Sequence, residues 1–192
     1  MTPMELLKIV GEVLDRVGCE RFTTGSVASM IYGEPRYTND VDVVVRMNEA
    51  QARRVAEAFT GQDWYCSEDA AIGAVQHRSM FNIIHAPSGF KVDVMVASMS
   101  PHNASRFARC RLLTMADGRV ERIASPEDVI LKKLQFFNEG GGLKHSRDIA
   151  SVVAMQGAHA IDWEYMQRWA EELGVTEGVR ALKLEMLPPN AD

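Results

Sequence analysis

Two aspartates, Asp40 and Asp42, stand at the head of an apolar run, "DVDVVV", where a strand is expected. Residues two apart on a strand face the same way, about 7 Å apart along the backbone. Their carboxylates therefore converge on one side, repel each other and are costly to desolvate. A third acid, Asp93, interrupts another apolar run, "FKVDVMVA". If that strand pairs beside the first, three carboxylates meet at one spot. Hard divalent cations such as Mg²⁺ take oxygen ligands and relieve such repulsion. The plainer readings are a turn or solvated edge for Asp-x-Asp and a solvated strand position for Asp93.

Upstream, "TTGSVASM" places Gly25 and Ser26 between an expected strand and an expected helix. The first N–H groups of a helix lack intrahelical partners and are backed by the positive end of its dipole, an arrangement that receives phosphate. Glycine permits close backbone approach. A Gly-Ser pair serves equally as a simple cap. Taken in order with the three acids, it describes metal-assisted phosphoryl or nucleotidyl transfer.

These residues need elements to position them. Thr2 caps a first helix with Pro3 in its first turn, and Leu6, Leu7, Val10, Val13, Leu14 and Val17 recur at helical spacing up to Gly18. A short strand is expected near residues 20–22, then a short helix over "VASMIYG", a loop over "EPRYTN" and a strand over residues 41–46 buried on both faces. Asn48 caps a helix over "EAQARRVAEAFTG", and another helical piece covers residues 68–77. "SMFNIIHAPSGFKVDVMVA" predicts a hairpin around Pro87-Ser88-Gly89. "CRLLTMADGRVERI" predicts a second, turning at Asp117-Gly118. From Ser125 onward the pattern is helical: a cap, a proline and two acids open a helix over residues 126–139, followed by helices over 145–156, 162–173 and 176–187. The run Gly140 to Gly142 reads as a helix stop and joint, because no strand precedes it.

A mixed α/β half, residues 1–124, thus precedes a helical segment, residues 125–192. The net charge of −5 argues against a chain that holds nucleic acid mainly by a basic surface. Three widely separated cysteines fit neither a zinc motif nor a disulfide framework and are expected to be reduced thiols. The N-terminal stretch lacks the apolar core of a signal peptide, and no run approaches the roughly 20 apolar residues of a membrane span. A cytoplasmic protein with no membrane contact is expected. The five histidines are scattered without ligand spacing.

Gly25-Ser26, thirteen intervening residues and then "DVDV" resemble the signature of the nucleotidyltransferase superfamily, whose fold is shared with DNA polymerase beta. The resemblance implies an α+β fold: a mixed β-sheet core flanked by helices, followed by a C-terminal helical segment. It also implies that Asp40, Asp42 and Asp93 hold two Mg²⁺ ions, with Mn²⁺ as a substitute, and that the triphosphate of an NTP rests at Gly25-Ser26. "SPEDVILKKLQFF" and "KHSRDIASV" look like the AbiEii-type abortive-infection nucleotidyltransferase toxins. These carry a lysine in a helix after the sheet and an aspartate opening a later helix. Lys132 and Lys133 compete for the first role. Helix geometry sets Lys133 on the inward stripe with Ile130, Leu134 and Phe137, and Lys132 opposite. The alternative for Lys133 is a snorkelling stem. Asp148 matches the later acid, or is a first-turn acid beside Arg147. Arg36, in "PRYTND", contacts phosphate or simply covers its loop.

The expectation is therefore a metal-dependent enzyme that moves NMP from an NTP to a hydroxyl, releasing pyrophosphate. Asp40, Asp42, Asp93 and Lys133 would be catalytic, and Gly25, Ser26, Arg36, Lys133 and Asp148 would bind nucleotide. The acceptor stays open among tRNA, a protein hydroxyl and a small molecule, with a cognate antitoxin or toxin as an implied partner. The rivals are a non-catalytic binding protein of the same fold, and a metal-dependent phosphatase that would release orthophosphate.

Overall fold

Capping chemistry sets most of the helix boundaries. The computed structural model describes residues 1–140 and 142–187. Thr2 and Glu5 form a capping box at α1 (Pro3–Arg16), and Asn48 with Gln51 forms another at α3 (Glu49–Ala58). Ser67 caps α4 (Glu68–His77), Ser100 caps α5 (Pro101–Arg109) and Ser125 caps α6 (Pro126–Asn138), each by accepting a backbone N–H three residues on. The remaining helices are α2 (Gly25–Tyr32), α7 (Leu143–Gln156), α8 (Trp163–Ala170) and α9 (Thr176–Met186), with a 3-10 turn at Ala158–Ala160.

The strands are β1 (Glu20–Thr24), β2 (Asp40–Arg46), β3 (Trp64–Tyr65), β4 (Met80–His85), β5 (Phe90–Val96), β6 (Arg111–Thr114) and β7 (Val120–Ile123). They form one sheet in the order β3-β4-β5-β2-β1-β7-β6. β2 and β5 run parallel, as do β1 and β7, and every other pairing is antiparallel. Both expected hairpins, β4–β5 and β6–β7, are present. The mixed α+β class is that expected, with helices flanking a mixed sheet.

The chain divides into two compact units: Met1–Val27 with Tyr37–Ile123, and Ala28–Arg36 with the chain from Ala124 onward. The division falls inside α2. All seven strands belong to the first unit. There α3 packs against α1 and α4, while α1 packs on β1, β2 and β5 and α4 packs on β4 and β5. Val41, Val43 and Val45 of β2, Val92, Val94 and Val96 of β5, and Phe81 and Ile83 of β4 alternate inward and are buried. The buried guanidinium of Arg21 ties β1 to α1 and β7 through Asp15 (2.8 Å) and Glu121 (2.6 Å).

The opposite face is different. On β2 it carries Asp40, Asp42, Val44 and Arg46, of which only Val44 is buried. Burial of β2 on both faces, expected from its apolar run, holds only around residues 43–45. At that end α5 contributes Phe107, edge-on to Phe22 at 4.8 Å, with the Arg46 guanidinium 4.0 Å from the Phe107 ring centre. The carboxylate end of the same face stays half-open.

In the second unit α6 is buried along most of its length, among α7, α8 and α9. Ile130 and Leu131 are fully buried and Leu134 nearly so, as are Val152 of α7, Met166 of α8 and Val179 of α9. Phe137, expected on the inward stripe, is 46% exposed. The buried carboxylate of Asp128 accepts from Ser125 Oγ (2.9 Å) and from Tyr165 Oη (2.8 Å). α7 begins at Leu143, so Asp148 lies in its second turn, not at its opening as expected. In the glycine run expected to stop a helix, α6 ends at Asn138, and Gly141 lies outside the described residues.

Candidate functional site

Register decides what the aspartates can do. Asp42 is the partner of Asp93 across the parallel β2–β5 pair, and Asp40 is the partner of Lys91. Partners on neighbouring strands lie about 4.8 Å apart with side chains on the same face. The row through Asp42 extends further: Thr24 of β1 pairs with Asp42, and Asn82 of β4 pairs with Asp93. Thr24, Asp42, Asp93 and Asn82 thus form a polar line across four strands. The Oγ1 of Thr24 is buried with no hydrogen-bond partner among the described residues.

Gly25 opens α2 directly beyond Thr24, with φ +63°. A Cβ built on it would fall inside the Asp42 carboxylate. The close approach that glycine permits here is therefore to Asp42 itself, which lies against the turn leading into α2. Ser26, half-buried, follows it in the first turn. One end of a strand and one end of a helix bring the acid and the Gly-Ser pair together, as the sequence spacing suggested.

Two residues that sequence reasoning passed over complete the arrangement. Lys91 Nζ lies 3.0 and 2.9 Å from the two oxygens of Asp93 and 3.7 Å from Asp40 Oδ1. The Asn82 amide donates to Asp93 Oδ1. Burial by itself lowers the pKa of Lys91. The hydrogen bond to Asp93 and the charges of Asp93, Asp40 and Asp42 outweigh it and hold the ammonium above the ordinary lysine value. The signal for Lys91 was in the strand itself, two residues before Asp93 and hence on its face. Asn82 becomes legible once the hairpin register is known.

The donor set suits a hard cation: three carboxylates on one face, two of them in register, beside a buried hydroxyl that lacks a partner. As they stand, the ammonium of Lys91 supplies the neutralising charge. Among the described residues, no group of three or more His, Cys, Asp and Glu is already arranged around a metal position.

The other expected residues assemble in the second unit. Asp148, 7% exposed, accepts from Arg36 Nε (2.8 Å) and Nη2 (2.9 Å), and from Lys133 Nζ (2.7 Å). Burial alone would raise the Asp148 pKa, but the bonds from Arg36 and Lys133 hold it below the usual carboxylate value. The same bond raises Arg36. Lys133 is buried and Lys132 is not, as their helix faces predicted; Lys132 Nζ lies 4.5 Å from the Phe136 ring centre. The partners of Asp148 are Arg36 and Lys133, from 112 and 15 positions away, and not its neighbour Arg147.

No protein-family model matches the sequence. No curated protein sequence matches it. Solved structures do. A nucleotidyltransferase-like antigenic protein from Paracoccidioides brasiliensis superposes with a TM-score of 0.59, at 16% identity over 96% of this chain and 88% of that one. ANT(2")-Ia in complex with adenylyl-2"-tobramycin gives 0.56, at 14% identity over 93% of this chain and 97% of that one. The lincosamide antibiotic adenylyltransferase LnuA, with lincomycin bound, gives 0.55, at 12% identity over 81% and 98%. The chain has the nucleotidyltransferase fold.

Within that nucleotidyltransferase fold, the free cysteines take no part in the polar line. Burial pushes the Cys19 thiol up to about 11, with Asp15 adding to it, and burial pushes Cys66 up to about 11. Both are protonated and poorly nucleophilic near neutral pH. No helix among the described residues is long and apolar enough to cross a membrane.

Proposed function

We propose that this protein transfers a nucleoside monophosphate from an NTP to the hydroxyl of an acceptor, releasing pyrophosphate. The observation that carries the reading is the register of Asp42 with Asp93 on a nucleotidyltransferase fold, with Asp42 lying against Gly25 at the start of α2. Asp40, Asp42 and Asp93 would hold Mg²⁺, or Mn²⁺ in its place. Such ions neutralise charge on the transferring phosphoryl group and its entering and leaving oxygens. The N–H groups at Gly25-Ser26 receive phosphate oxygens. Asp93, held by Asn82, faces the acceptor hydroxyl and takes its proton. Arg36, Lys133 and Asp148 take the nucleotide contacts that the motif resemblance gives their positions.

A small hydroxylated molecule is the acceptor class we favour. The acidic chain offers little for the phosphates of tRNA. Two proteins of the same fold are described with tobramycin and lincomycin. A toxin-like role with a cognate antitoxin rests only on the tail motifs around Lys133 and Asp148.

Incubation with each α-³²P-labelled NTP and Mg²⁺ tests the proposal, using separate small-molecule, RNA and protein pools, for wild type and Asp42→Asn. Label entering the small-molecule pool with wild type alone is the expected result. Label in RNA or protein would move the acceptor to that class. Orthophosphate release without labelled acceptor would indicate a phosphatase. Nucleotide binding with no turnover would leave a non-catalytic member of the fold.

A further inference from the structure

The carboxylates at the end of β2 already have a cation. Lys91 Nζ bonds both oxygens of Asp93 and lies 3.7 Å from Asp40 Oδ1. Asp93 is largely withdrawn from water, its side chain 13% exposed, and Asn82 also donates to Oδ1. That carboxylate therefore accepts from Lys91 and from Asn82. A metal ion that takes an oxygen of Asp93 meets an ammonium within 3 Å of the same oxygens. Like charges at that separation repel strongly in a partly buried site.

Alternation on β5 makes the placement a property of the strand. Lys91 and Asp93 are two apart, so they share a face, and the partner of Lys91 on β2 is Asp40. The flexible four-carbon stem lets the ammonium swing without moving the backbone. We propose that Lys91 is an internal counter-cation that holds Asp93 and Asp40 in the metal-free protein and is displaced from Asp93 when a divalent cation binds. It is a positioning residue that sets the cation concentration at which the site loads. This rests on the reading of Asp40, Asp42 and Asp93 as metal ligands.

The test is Mn²⁺ binding to the full chain without nucleotide, followed by the electron paramagnetic resonance of free Mn²⁺. Wild type, Lys91→Met, Lys91→Arg and Asp42→Asn are compared. Removing the competing charge should tighten Mn²⁺ binding about tenfold in Lys91→Met. Lys91→Arg, which keeps a cation, should stay within about twofold of wild type. Melting in EDTA gives a second readout: Lys91→Met should melt below wild type, and Mn²⁺ should raise its melting temperature by more. Should Lys91→Met fail to fold, Lys91→Gln takes its place. Equal or weaker Mn²⁺ binding in the Lys91 variant, with binding still lost in Asp42→Asn, overturns the counter-cation and leaves the metal ligands standing. Absence of Mn²⁺ binding in both wild type and the Lys91 variant overturns both.

Discussion

Asp42 is half-buried and Asp148 buried, and their surroundings give them different work. Asp42 shares its face with two further carboxylates and lies against a glycine that must stay a glycine. In Gly25→Ala the new methyl collides with the Asp42 carboxylate at a backbone angle that L residues rarely adopt. We expect a cost of about 1–3 kcal/mol in urea unfolding, together with loss of transfer. Retained activity would mean that Asp42 does not need its present position. Asp148 instead sits between two cations. Asp148→Asn removes the carboxylate that Lys133, itself buried, and Arg36 both bond, at a cost of about 2–4 kcal/mol at pH 7. Because its folded pKa is depressed, the stability it contributes is present above the ordinary carboxylate value near 4 and fades as pH falls through the folded value. The gap between wild type and Asp148→Asn in denaturant melts should therefore begin to narrow near pH 4 and shrink further as pH falls through the folded value. A gap independent of pH would refute the pairing. The acids were legible in the sequence because a carboxylate inside an apolar strand is costly without a purpose. Asn82 was not, because an asparagine on a half-open strand is ordinary until register places it beside Asp93; Lys91 lies on that face by strand alternation alone and was passed over as an ordinary lysine.

Elements with strong local chemistry could be read directly: Thr2-Pro3, Asn48 and Ser125-Pro126 each announced a helix that exists. The hairpins followed from Pro87-Ser88-Gly89 and Asp117-Gly118. α5 was missed although Ser100-Pro101 supplies a cap and a first-turn proline, because its polar body, "HNASR", shows a stripe only through Phe107. β3 is two residues long and exists only by pairing with β4, which no local pattern specifies. α6 carries the most buried polar chemistry of any helix in the second unit, and its start depends on more than the Ser125 cap. Tyr165 of α8 donates to Asp128, so Tyr165→Phe removes one of that carboxylate's hydrogen bonds. We expect a loss of about 1–2 kcal/mol in equilibrium unfolding, with α-helical content at 25 °C unchanged. No measurable loss would show that other partners of Asp128 suffice.

At the scale of the molecule, the change from mixed α/β pattern to helical pattern near residue 124 was visible in the sequence. That residues 28–36 join the second unit was not, because membership is set by long-range partners such as Ser151 Oγ, which accepts from the Glu34 N–H at 2.6 Å, and Gln156, which donates to the Tyr32 carbonyl at 2.9 Å. Arg36 meets Asp148 by the same long-range folding. We propose that metal and triphosphate bind on the face of β2 and β5 that carries Asp40, Asp42 and Asp93, beside Gly25. Crystals grown with Mn²⁺ and an NTP analogue that cannot be cleaved at the α-phosphate test it most directly, with anomalous scattering marking the metal. The expected result is a manganese peak between Asp42 and Asp93, Lys91 withdrawn from Asp93, and phosphate oxygens on the N–H groups at Gly25-Ser26. Manganese bound elsewhere, with Lys91 still on Asp93 and no phosphate at Gly25, would contradict it.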